Sequence, residues 1–341
     1  MNSVKVNYAA VGITLVVVLV MTLKMYHTRV TYRLHTVNLK ELLSVSIDLA
    51  ELGGERVVAV KQEHKLHAES KGETKEGKQE MKTDGDMQSH RTILAGFHTA
   101  FPWLDSRIVS EEHDKHPDTS QSVNPNKKRP ETDTLPDLSV LVGDITIWVD
   151  PLDATQEYTE NLDEYVTVMV CVAVKGEPVI GVVHRPQQSD HHQKETVWAW
   201  VGQGVSSNLG SIGVQTDAKA PDAPIVIISR SHAGSANQTI KQAFGKGHAV
   251  PAGGAGYKSI EVIRGKADMY AHVTVIKKWD ICPGNALFNA VGGHMMTLKG
   301  EIINYDKSGS PVNEHGLLAS VNNFQYFLNR LGPVFDSEQK R

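Results

Sequence analysis

The chain has 341 residues, of which 40% are hydrophobic and 22% charged, so we expect a globular protein of about two packed units rather than a disordered or fibrous chain. The formal net charge of −4 provides no broad basic field, so a nucleic acid polymer is not an expected partner, although a small anion needs only a local patch. The two cysteines, Cys171 and Cys282, are too few for a disulfide-dense scaffold or a cysteine-based zinc module.

A long apolar segment stands close to the N-terminus. No residue from Val6 to Leu23 is charged, and as a helix at ~1.5 Å per residue the segment would span about 27 Å, close to the thickness of a thin bilayer. We therefore predict a single-pass membrane anchor over residues 6–26, preceded by a tail of residues 1–5 and followed by a stem of residues 27–36. A cleaved signal peptide and a buried core helix remain as alternatives.

The residues around this segment leave its orientation open. A single lysine precedes it, whereas Lys24, Arg29 and Arg33 follow it, and the positive-inside rule therefore favours a cytoplasmic C-terminal domain. The sequon Asn237-Gln238-Thr239 points the other way, because glycosylation at Asn237 requires a lumenal domain.

Helical and loop patterns dominate the first part of the soluble region. Apolar spacing predicts a helix over about residues 39–66, interrupted or bent at Gly53-Gly54. Residues 68–82 are polar and predict a solvated loop, and a second helical stripe covers residues 93–101. Residues 113–137 contain four prolines and predict a long excursion, a type of segment that is usually functional or disordered.

Strands are predicted mainly in the middle of the chain. Apolar alternation and turn residues indicate strands at about residues 145–149, 165–174, 179–184, 196–201 and 225–228, the second and third of which form a hairpin. Helices are predicted near residues 233–244, 257–264 and 283–291. This mixture predicts a layered, mixed α/β protein.

Acidic side chains recur at the ends of predicted strands and turns. They are Asp86, Glu111, Asp150, Asp153 and Asp280. Each has an ordinary structural explanation by itself: Asp86 could cap a helix, and Asp150 could open a turn. Carboxylates gathered together raise each other's pKa unless cations neutralise them, and oxygen ligands without cysteine or histidine nearby select a hard cation such as Mg²⁺. The pattern therefore favours magnesium-dependent phosphoester hydrolysis.

Several segments carry a resemblance to a known family. Ser110-Glu111-Glu112, WVDPLDATQEY from Trp148 and KKWDICPGNA from Lys277 resemble, in the same order, the signature motifs of the lithium-sensitive, Mg²⁺-dependent inositol monophosphatase superfamily. The resemblance covers about residues 37–330. The segments TDGD, ISRSH and PAGGAGYK are most similar to the 3'-phosphoadenosine 5'-phosphate phosphatases of that superfamily. Ala154 departs from the pattern, because the family usually has glycine there.

The resemblance implies a fold and a set of metal ligands. The implied fold is a layered αβαβα sandwich over residues 37–335, with lobes of about 37–210 and 211–335, following an N-terminal transmembrane helix. The implied Mg²⁺ ligands are Glu111, Asp150, the backbone carbonyl of Leu152, Asp153 and Asp280. Asp150 would bridge two ions, and a third, weaker ion would involve Glu111 and Asp86.

Further residues match catalytic and nucleotide-binding positions. Thr155, hydrogen-bonded to Asp86, would relay a proton from the attacking water. The implied nucleotide-binding residues are Ser229, His232, Gly254 and Lys258. Lys258 would meet the 5'-phosphate, and the glycines around Gly254 would let the backbone approach the ligand. The pair His191-His192 stands in a polar stretch and is interpreted as solvated rather than metal-binding.

The implied activity is hydrolysis of adenosine 3',5'-bisphosphate to AMP and phosphate. The anchor resembles that of Golgi-resident members, which implies a type II protein with residues 1–5 in the cytoplasm and a lumenal catalytic domain. There it would clear the by-product of sulfotransferases and support glycosaminoglycan sulfation. The alternatives are an inositol phosphate phosphatase and a catalytically silent, nucleotide-binding membrane protein. A homodimer is one option for its assembly, which the sequence leaves open.

Overall fold

The computed structural model describes residues 17–19, 21–22, 35–73, 79–114, 123–186, 194–215, 219–231 and 235–339. The predicted tail lies outside this set, as do most of the predicted anchor and stem and the pair His191-His192. Among the residues that are described, no helix is both long enough and apolar enough to cross a membrane.

Helices and strands alternate along the described chain. From residue 35 onward the α-helices are α1 Leu39–Gln62, α2 Asp84–Ala100, α3 Thr155–Thr159, α4 Ala236–Phe244, α5 Ala255–Ile263, α6 Lys278–Ala290 and α7 Phe324–Gln339. The strands before residue 210 are β1 Thr36–Asn38, β2 Glu69–Glu73, β3 Gln79–Lys82, β4 Ile108–Ser110, β5 Ser139–Leu141, β6 Ile145–Asp153, β7 Thr167–Val174, β8 Glu177–Arg185, β9 Glu195–Trp200 and β10 Gly204–Val205. The later strands are β11 Ile225–Ser229, β12 His248–Ala252, β13 Met269–His272, β14 Ile276–Lys277, β15 His294–Met296, β16 Val312–Asn313 and β17 Leu317–Ser320.

Two large sheets organise these elements. The first has six strands in the order β10-β9-β8-β7-β6-β4, with β4 and β6 parallel and the other neighbours antiparallel. The second has five strands in the order β12-β11-β13-β17-β15, in which β11 is parallel to both of its neighbours. Two-stranded pairs are formed by β1 with β5, β2 with β3 and β14 with β16. The large sheets draw their strands from either side of residue 210, and the predicted division into lobes there stays a prediction.

The two sheets and the helices form five layers. Helices α1 and α2 cover one face of the six-stranded sheet, α5 and α6 lie between the two sheets, and α4 and α7 pack on the far side of the five-stranded sheet. Separate hydrophobic clusters fill the spaces between layers. Alternate residues of β6 divide between two of them, since Ile147 and Val149 face α1 and α2 while Trp148 faces α6. The mixed α/β class and the αβαβα layering are confirmed.

The glycine pair in the first helix does not interrupt it, so that expectation was wrong. Helix α1 runs through Gly53 and Gly54, both of which are buried. A Cβ atom added at Gly53 would lie 2.6 Å from Oγ of Ser89, and one added at Gly54 would lie 2.5 Å from the ring of His184. The glycines therefore allow α1 to approach α2 and β8 closely, which offsets their low helix propensity.

The two segments predicted as loops also pack in an ordered way. Residues 68–82 include β2 and β3, which pair as antiparallel strands, although β2 is exposed to solvent as predicted. The described part of the 113–137 excursion lies against α1, where Arg129 forms ion pairs with Asp48 and Glu51. Leu135 of the same segment is buried in the core cluster beneath α1. Hydrophobic patterns in the sequence did not predict these contacts, because each contact involves few apolar residues.

His184 of β8 is held neutral inside the protein. Its Nδ1 lies 2.8 Å from Oγ1 of Thr196, which donates its own proton to the carboxylate of Glu51 at 2.8 Å, so Nδ1 of His184 is the protonated ring nitrogen. Burial lowers the pKa of His184 to about 3, and the charges of Lys194 and Arg129 act in the same direction.

This burial predicts a pH dependence of stability. Unfolding restores the pKa to about 6.5, so below that pH the unfolded chain binds a proton that the folded chain excludes. The contribution of His184 is therefore complete above about pH 6.5 and is reduced by about 2 kcal/mol at pH 5. We expect His184→Gln to flatten the free energy of unfolding between about pH 5 and pH 7, measured by urea denaturation. His248→Gln is the control, because His248 is exposed on β12. Equal pH slopes for His184→Gln and the parent chain would contradict this assignment.

Candidate active site

Three acidic side chains from distant parts of the chain meet at one edge of the six-stranded sheet. Strand β4 runs parallel to β6 with Ser110 beside Val149, so Glu111 and Asp150 leave the same end of neighbouring strands. The amide of Glu111 donates to the carbonyl of Val149 at 3.0 Å. Asp280 lies in the first turn of α6, and carboxylate oxygens of the three acids lie within 4.8 Å of one another. The structure thus brings together three of the predicted metal ligands.

The remaining predicted ligands border the same cleft. Asp153 ends β6 after a register shift in its pairing with β7. Its Oδ2 accepts hydrogen bonds from the amide of Gly256 at 2.9 Å and the hydroxyl of Thr167 at 3.0 Å, which ties β6 to the start of α5. Leu152 also lines the cleft, and its carbonyl oxygen lies 3.0 Å from Oγ1 of Thr155.

The electrostatics of this set suit a divalent cation. Burial raises the pKa of every carboxyl group in it, namely Glu111, Asp150, Asp153 and Asp280. Repulsion between the acids adds to the effect, most clearly for Asp150, which faces each of the other three. Oxygen donors that resist ionising together are stabilised by a hard cation that neutralises them. The residues present therefore fit Mg²⁺.

Lys71 is a member of the site that the sequence did not reveal. It lies on β2, and its Nζ donates to Oε1 of Glu111 at 2.8 Å and also contacts the carboxylate of Glu112. Desolvation of the ammonium group acts to lower the pKa of Lys71, but its two carboxylate partners outweigh this effect and raise the pKa. Strand β2, Glu69–Glu73, is exposed along its length and has no apolar alternation that would have predicted a strand. The ammonium group supplies part of the positive charge that the acids need.

Asp86 and Thr155 form a hydrogen-bonded pair beside the acids. Asp86 is wholly buried in the first turn of α2, where its Oδ2 accepts from the amide and hydroxyl of Thr83 at 2.7 and 2.6 Å. Its other oxygen, Oδ1, accepts from the hydroxyl of Thr155 at 2.9 Å. Burial raises the pKa of Asp86 to about 7. The helix-capping role and the contact with Thr155 therefore coexist, since each uses a different carboxylate oxygen.

Ala154 joins the acids to this pair through a left-handed turn. Its backbone angles, φ 69° and ψ 44°, belong to the region that favours glycine, and a residue with a Cβ costs roughly 1–2 kcal/mol there. The turn directs Asp153 toward α5 and starts α3 at Thr155. Alanine is therefore accommodated at this left-handed position, and the side chains of Asp153 and Thr155 on either side of it keep their hydrogen bonds.

Lys258 provides a buried positive charge in the same cleft. It lies in α5 with 3% of its surface exposed. Its Nζ donates to the carbonyl of Ala252 at 3.4 Å and lies 5.3 Å from the centre of the Tyr270 ring. Burial lowers its pKa to about 8, whereas the nearby Asp153 acts in the opposite direction. A bound anion would stabilise the charged form of Lys258.

The other predicted nucleotide-binding residues have different outcomes. Ser229, at the end of β11, and Gly254, before α5, both line the cleft, while His232 lies outside the described residues. Gly254 has φ +61°, and an added Cβ would lie 2.4 Å from the carbonyl oxygen of Tyr165. The amide of Gly256 binds Asp153. These glycines therefore serve close packing of the protein's own segments, and the expectation that they also let the backbone approach a ligand stays a prediction.

The cleft is large enough for a small organic phosphate. Its volume is about 600 Å³, which is within the usual range for ligand sites. Further lining residues that the sequence reasoning missed are Tyr270, His272, Lys277 and Trp279. Lys277 and Trp279 stand in the same motif as Asp280, so the motif could have predicted them. Tyr270 and His272 belong to β13, and their position at the cleft depends on the arrangement of the sheet.

Comparisons with known proteins bear on the family and the fold. The sequence profile of the inositol monophosphatase family matches residues 38–329. The Golgi-resident adenosine 3',5'-bisphosphate 3'-phosphatase of Rattus norvegicus is 45% identical over 308 residues, which is 87% of this chain and 82% of that protein. Inositol monophosphatase 3 of Danio rerio is 46% identical over 297 residues, which is 84% of this chain and 82% of that protein. In fold, the chain is similar to the Thermotoga maritima IMPase, with a TM-score of 0.61 and 20% identity over 86% of this chain and 97% of that one.

The repulsion at Asp150 predicts opposite effects with and without a cation. Without Mg²⁺, Asp150→Asn should raise the melting temperature, because it replaces a buried acid whose ionised form four neighbouring acids repel. Saturating Mg²⁺ should stabilise the parent chain by about 2.7 kcal/mol at 100 times its dissociation constant, and the variant far less.

Thermal unfolding with and without Mg²⁺ measures both effects. Asp133→Asn is the control, because Asp133 is exposed and should respond to Mg²⁺ as the parent does. An equal Mg²⁺-induced shift in Asp150→Asn would show that Asp150 is not a ligand.

Proposed function

The chain belongs to the inositol monophosphatase family, and we propose that it is a Mg²⁺-dependent phosphatase that converts adenosine 3',5'-bisphosphate to AMP and phosphate. One observation carries this choice of substrate: a single cleft contains both an acidic cluster and the buried ammonium of Lys258. The acids suit a phosphate bound through cations, and Lys258 suits a second anionic group of the same ligand. A nucleotide with two phosphates satisfies both.

The acidic cluster would hold the metal. Glu111, Asp150 and the carbonyl of Leu152 would bind one ion, and Asp150, Asp153 and Asp280 a second. A third, weaker ion would use Glu111 and Asp86. When bound, Mg²⁺ stabilises the negative charge that develops on the transferred phosphoryl group.

Thr155 and Asp86 would handle the proton. The Thr155 hydroxyl donates to Asp86 at 2.9 Å, which leaves lone pairs on the Thr155 oxygen to accept a proton from the attacking water. The threonine proton would then move to Asp86, so Asp86 must be ionised at the start of the reaction. Its hydrogen bonds from Thr83 favour that ionised form.

The binding groups divide between the two ends of the nucleotide. Lys258 would pair with the 5'-phosphate, with Ser229, His232 and Gly254 around the nucleotide. This arrangement holds the 3'-phosphate among the acidic residues while the 5'-phosphate stays intact. Binding of the 5'-phosphate would thereby orient the 3'-phosphate for reaction.

A second candidate is hydrolysis of an inositol phosphate, favoured by the name of the Danio rerio relative. A third, a catalytically silent nucleotide-binding protein, is disfavoured by the full set of acids and the Thr155–Asp86 contact. The candidates differ in whether a second phosphate on the substrate matters and in whether phosphate is released.

A substrate comparison on the detergent-solubilised full chain tests the activity. We expect Mg²⁺-dependent phosphate release from adenosine 3',5'-bisphosphate, with much less from adenosine 3'-phosphate or inositol 1-phosphate. Lys258→Met should raise KM for adenosine 3',5'-bisphosphate, because one charge contact with the substrate is lost. The ratio of kcat/KM for the bisphosphate to that for adenosine 3'-phosphate should therefore fall. Thr155→Val should lower kcat by about 10²–10⁴-fold, as loss of proton transfer does. Lys266→Met is the control, because Lys266 is exposed.

Equal efficiency on inositol 1-phosphate would favour the second candidate. Phosphate release from none of the substrates would favour the third.

We place the enzyme in the Golgi membrane as a type II protein with its catalytic domain in the lumen. The support is the name of the Rattus norvegicus relative, the apolar segment 6–26 and the exposed position of Asn237 in α4. Nearby sulfotransferases would release the substrate, so the activity would relieve their product inhibition and support glycosaminoglycan sulfation. The proposal leaves open whether the enzyme assembles as a homodimer.

Protease treatment of sealed microsomes tests the topology. We expect the domain after residue 36 to be protected until detergent is added, because the membrane separates it from the protease. Glycosidase treatment should change its mobility, and Asn237→Gln should abolish that change. Digestion of the domain in sealed vesicles would reverse the proposed orientation.

A further inference from the structure

A disulfide joins the two layers that carry the acidic groups. Cys171 in β7 is bonded to Cys282 in α6, with 5.8 Å between their Cα atoms. Both side chains are fully buried in the cluster between the two large sheets. The bond connects positions 111 residues apart in sequence, so it closes a large loop of the chain.

The packing around the bond brings α6 very close to the sheet. Cys171 stands beside Gly181 of β8 in the pairing of the two strands. A Cβ atom added at Gly181 would lie 2.4 Å from the carbonyl oxygen of Pro283, the residue after Cys282. The missing side chain at Gly181 therefore lets the helix backbone reach the sheet at the level of the disulfide.

The disulfide lies close to two of the acids, to one through strand pairing and to the other along the chain. On the other side of β7, Cys171 is paired with Trp148 of β6, which precedes Asp150 by two residues. Cys282 follows Asp280 by two residues. One strand pairing and one covalent bond thus form a short path between the acid on the sheet and the acid on the helix.

Repulsion acts along the same path. Asp150 is buried and Asp280 is half-buried, and their carboxylate oxygens lie within 4.8 Å of each other, so the two groups would repel each other when both are ionised. The amide of Lys278 donates to the carbonyl of Pro311 at 2.8 Å, which anchors the start of α6 to the segment before β16, and the Trp148 ring of β6 packs against the same helix. The disulfide adds a covalent link between α6 and the sheet that carries Asp150, and a covalent bond resists separation more strongly than side-chain packing does.

We propose that the Cys171–Cys282 disulfide is a positioning element that holds Asp280 near Asp150 for cation binding, and that the domain therefore matures in an oxidising compartment. The inference rests on the proposed function only for the identity of the cation. The cysteines act through the backbone of β7 and α6, as groups beyond the direct ligands commonly do in metal sites.

Formation of this bond requires a dithiol–disulfide exchange. An S–S bond replaces two S–H bonds, and the two electrons and two protons pass to the disulfide of a partner oxidoreductase, which becomes a dithiol. Both sulfurs are buried once the layers have packed, so the exchange precedes the docking of α6. Oxidising partners are present in the secretory pathway and structural disulfides are rare in the cytosol, which agrees with a lumenal domain.

The first test is chemical and needs no substrate. The full chain is expressed in cells with its N-terminal segment intact, denatured in excess alkylating agent and digested without reductant. We expect mass spectrometry to find the Cys171 and Cys282 peptides linked, with both residues alkylated only after reduction. Alkylation of both without reductant would overturn the proposal.

The second test measures cation binding directly. Cys171→Ala/Cys282→Ala should weaken Mn²⁺ binding, followed by electron paramagnetic resonance, by about tenfold or more, because Asp280 is no longer held in place. Cys171→Ala/Cys282→Val refills the buried volume and should show the same weakening. Val197→Ala is the matched control, since it removes volume from the same cluster but keeps the bond; it should lower the melting temperature and leave Mn²⁺ affinity unchanged.

A bond-free variant that melts earlier but binds Mn²⁺ as tightly as the parent would overturn the positioning role. Neither measurement uses a nucleotide, so failure of the proposed activity would leave both results unaffected.

Discussion

The close approach of four carboxyl groups is the constraint around which this site is organised. Desolvation opposes the ionisation of Glu111, Asp150, Asp153 and Asp280, and repulsion from neighbouring acids adds to it, most clearly at Asp150. Only a rigid surrounding keeps such groups together. The parallel pair of β4 and β6, the docking of α6 between the sheets and the hydrogen bonds from α5 to Asp153 provide that rigidity.

The same constraint explains why the cleft lies between two sheets. The acids come from the six-stranded sheet and from α6, whereas Ser229 ends a strand of the five-stranded sheet and Lys258 belongs to α5. The acidic cluster and Lys258 therefore reach the cleft from different elements of the fold. A ligand with two anionic groups would use both, one through cations and the other through Lys258. The layered fold thus supports the proposed preference for a bisphosphate nucleotide.

The sequence predicted the layered class, most strands and helices, and the acids that border the cleft. It also predicted the Thr155–Asp86 contact, which the structure contains at 2.9 Å. It failed where polar or small residues have roles that depend on distant partners. Lys71 was placed in a solvated loop, and Gly53 was expected to interrupt a helix that it instead packs against α2. In each case the local composition was polar or glycine-rich, and the distant residue that it contacts was unknown.

The sequence by itself determined the identity, order and local turns of the acids, because Asp150, Asp153 and Thr155 are neighbours whose spacing sets their geometry. Only the tertiary structure decided which distant residues meet, such as Lys71 with Glu111 and Cys171 with Cys282. The physical reason is that hydrophobic periodicity specifies which face of an element is buried but not which other element covers it. The net charge and the number of cysteines were uninformative as totals. The packing shows that acidic side chains gather in one cleft and that the two cysteines are bonded to each other.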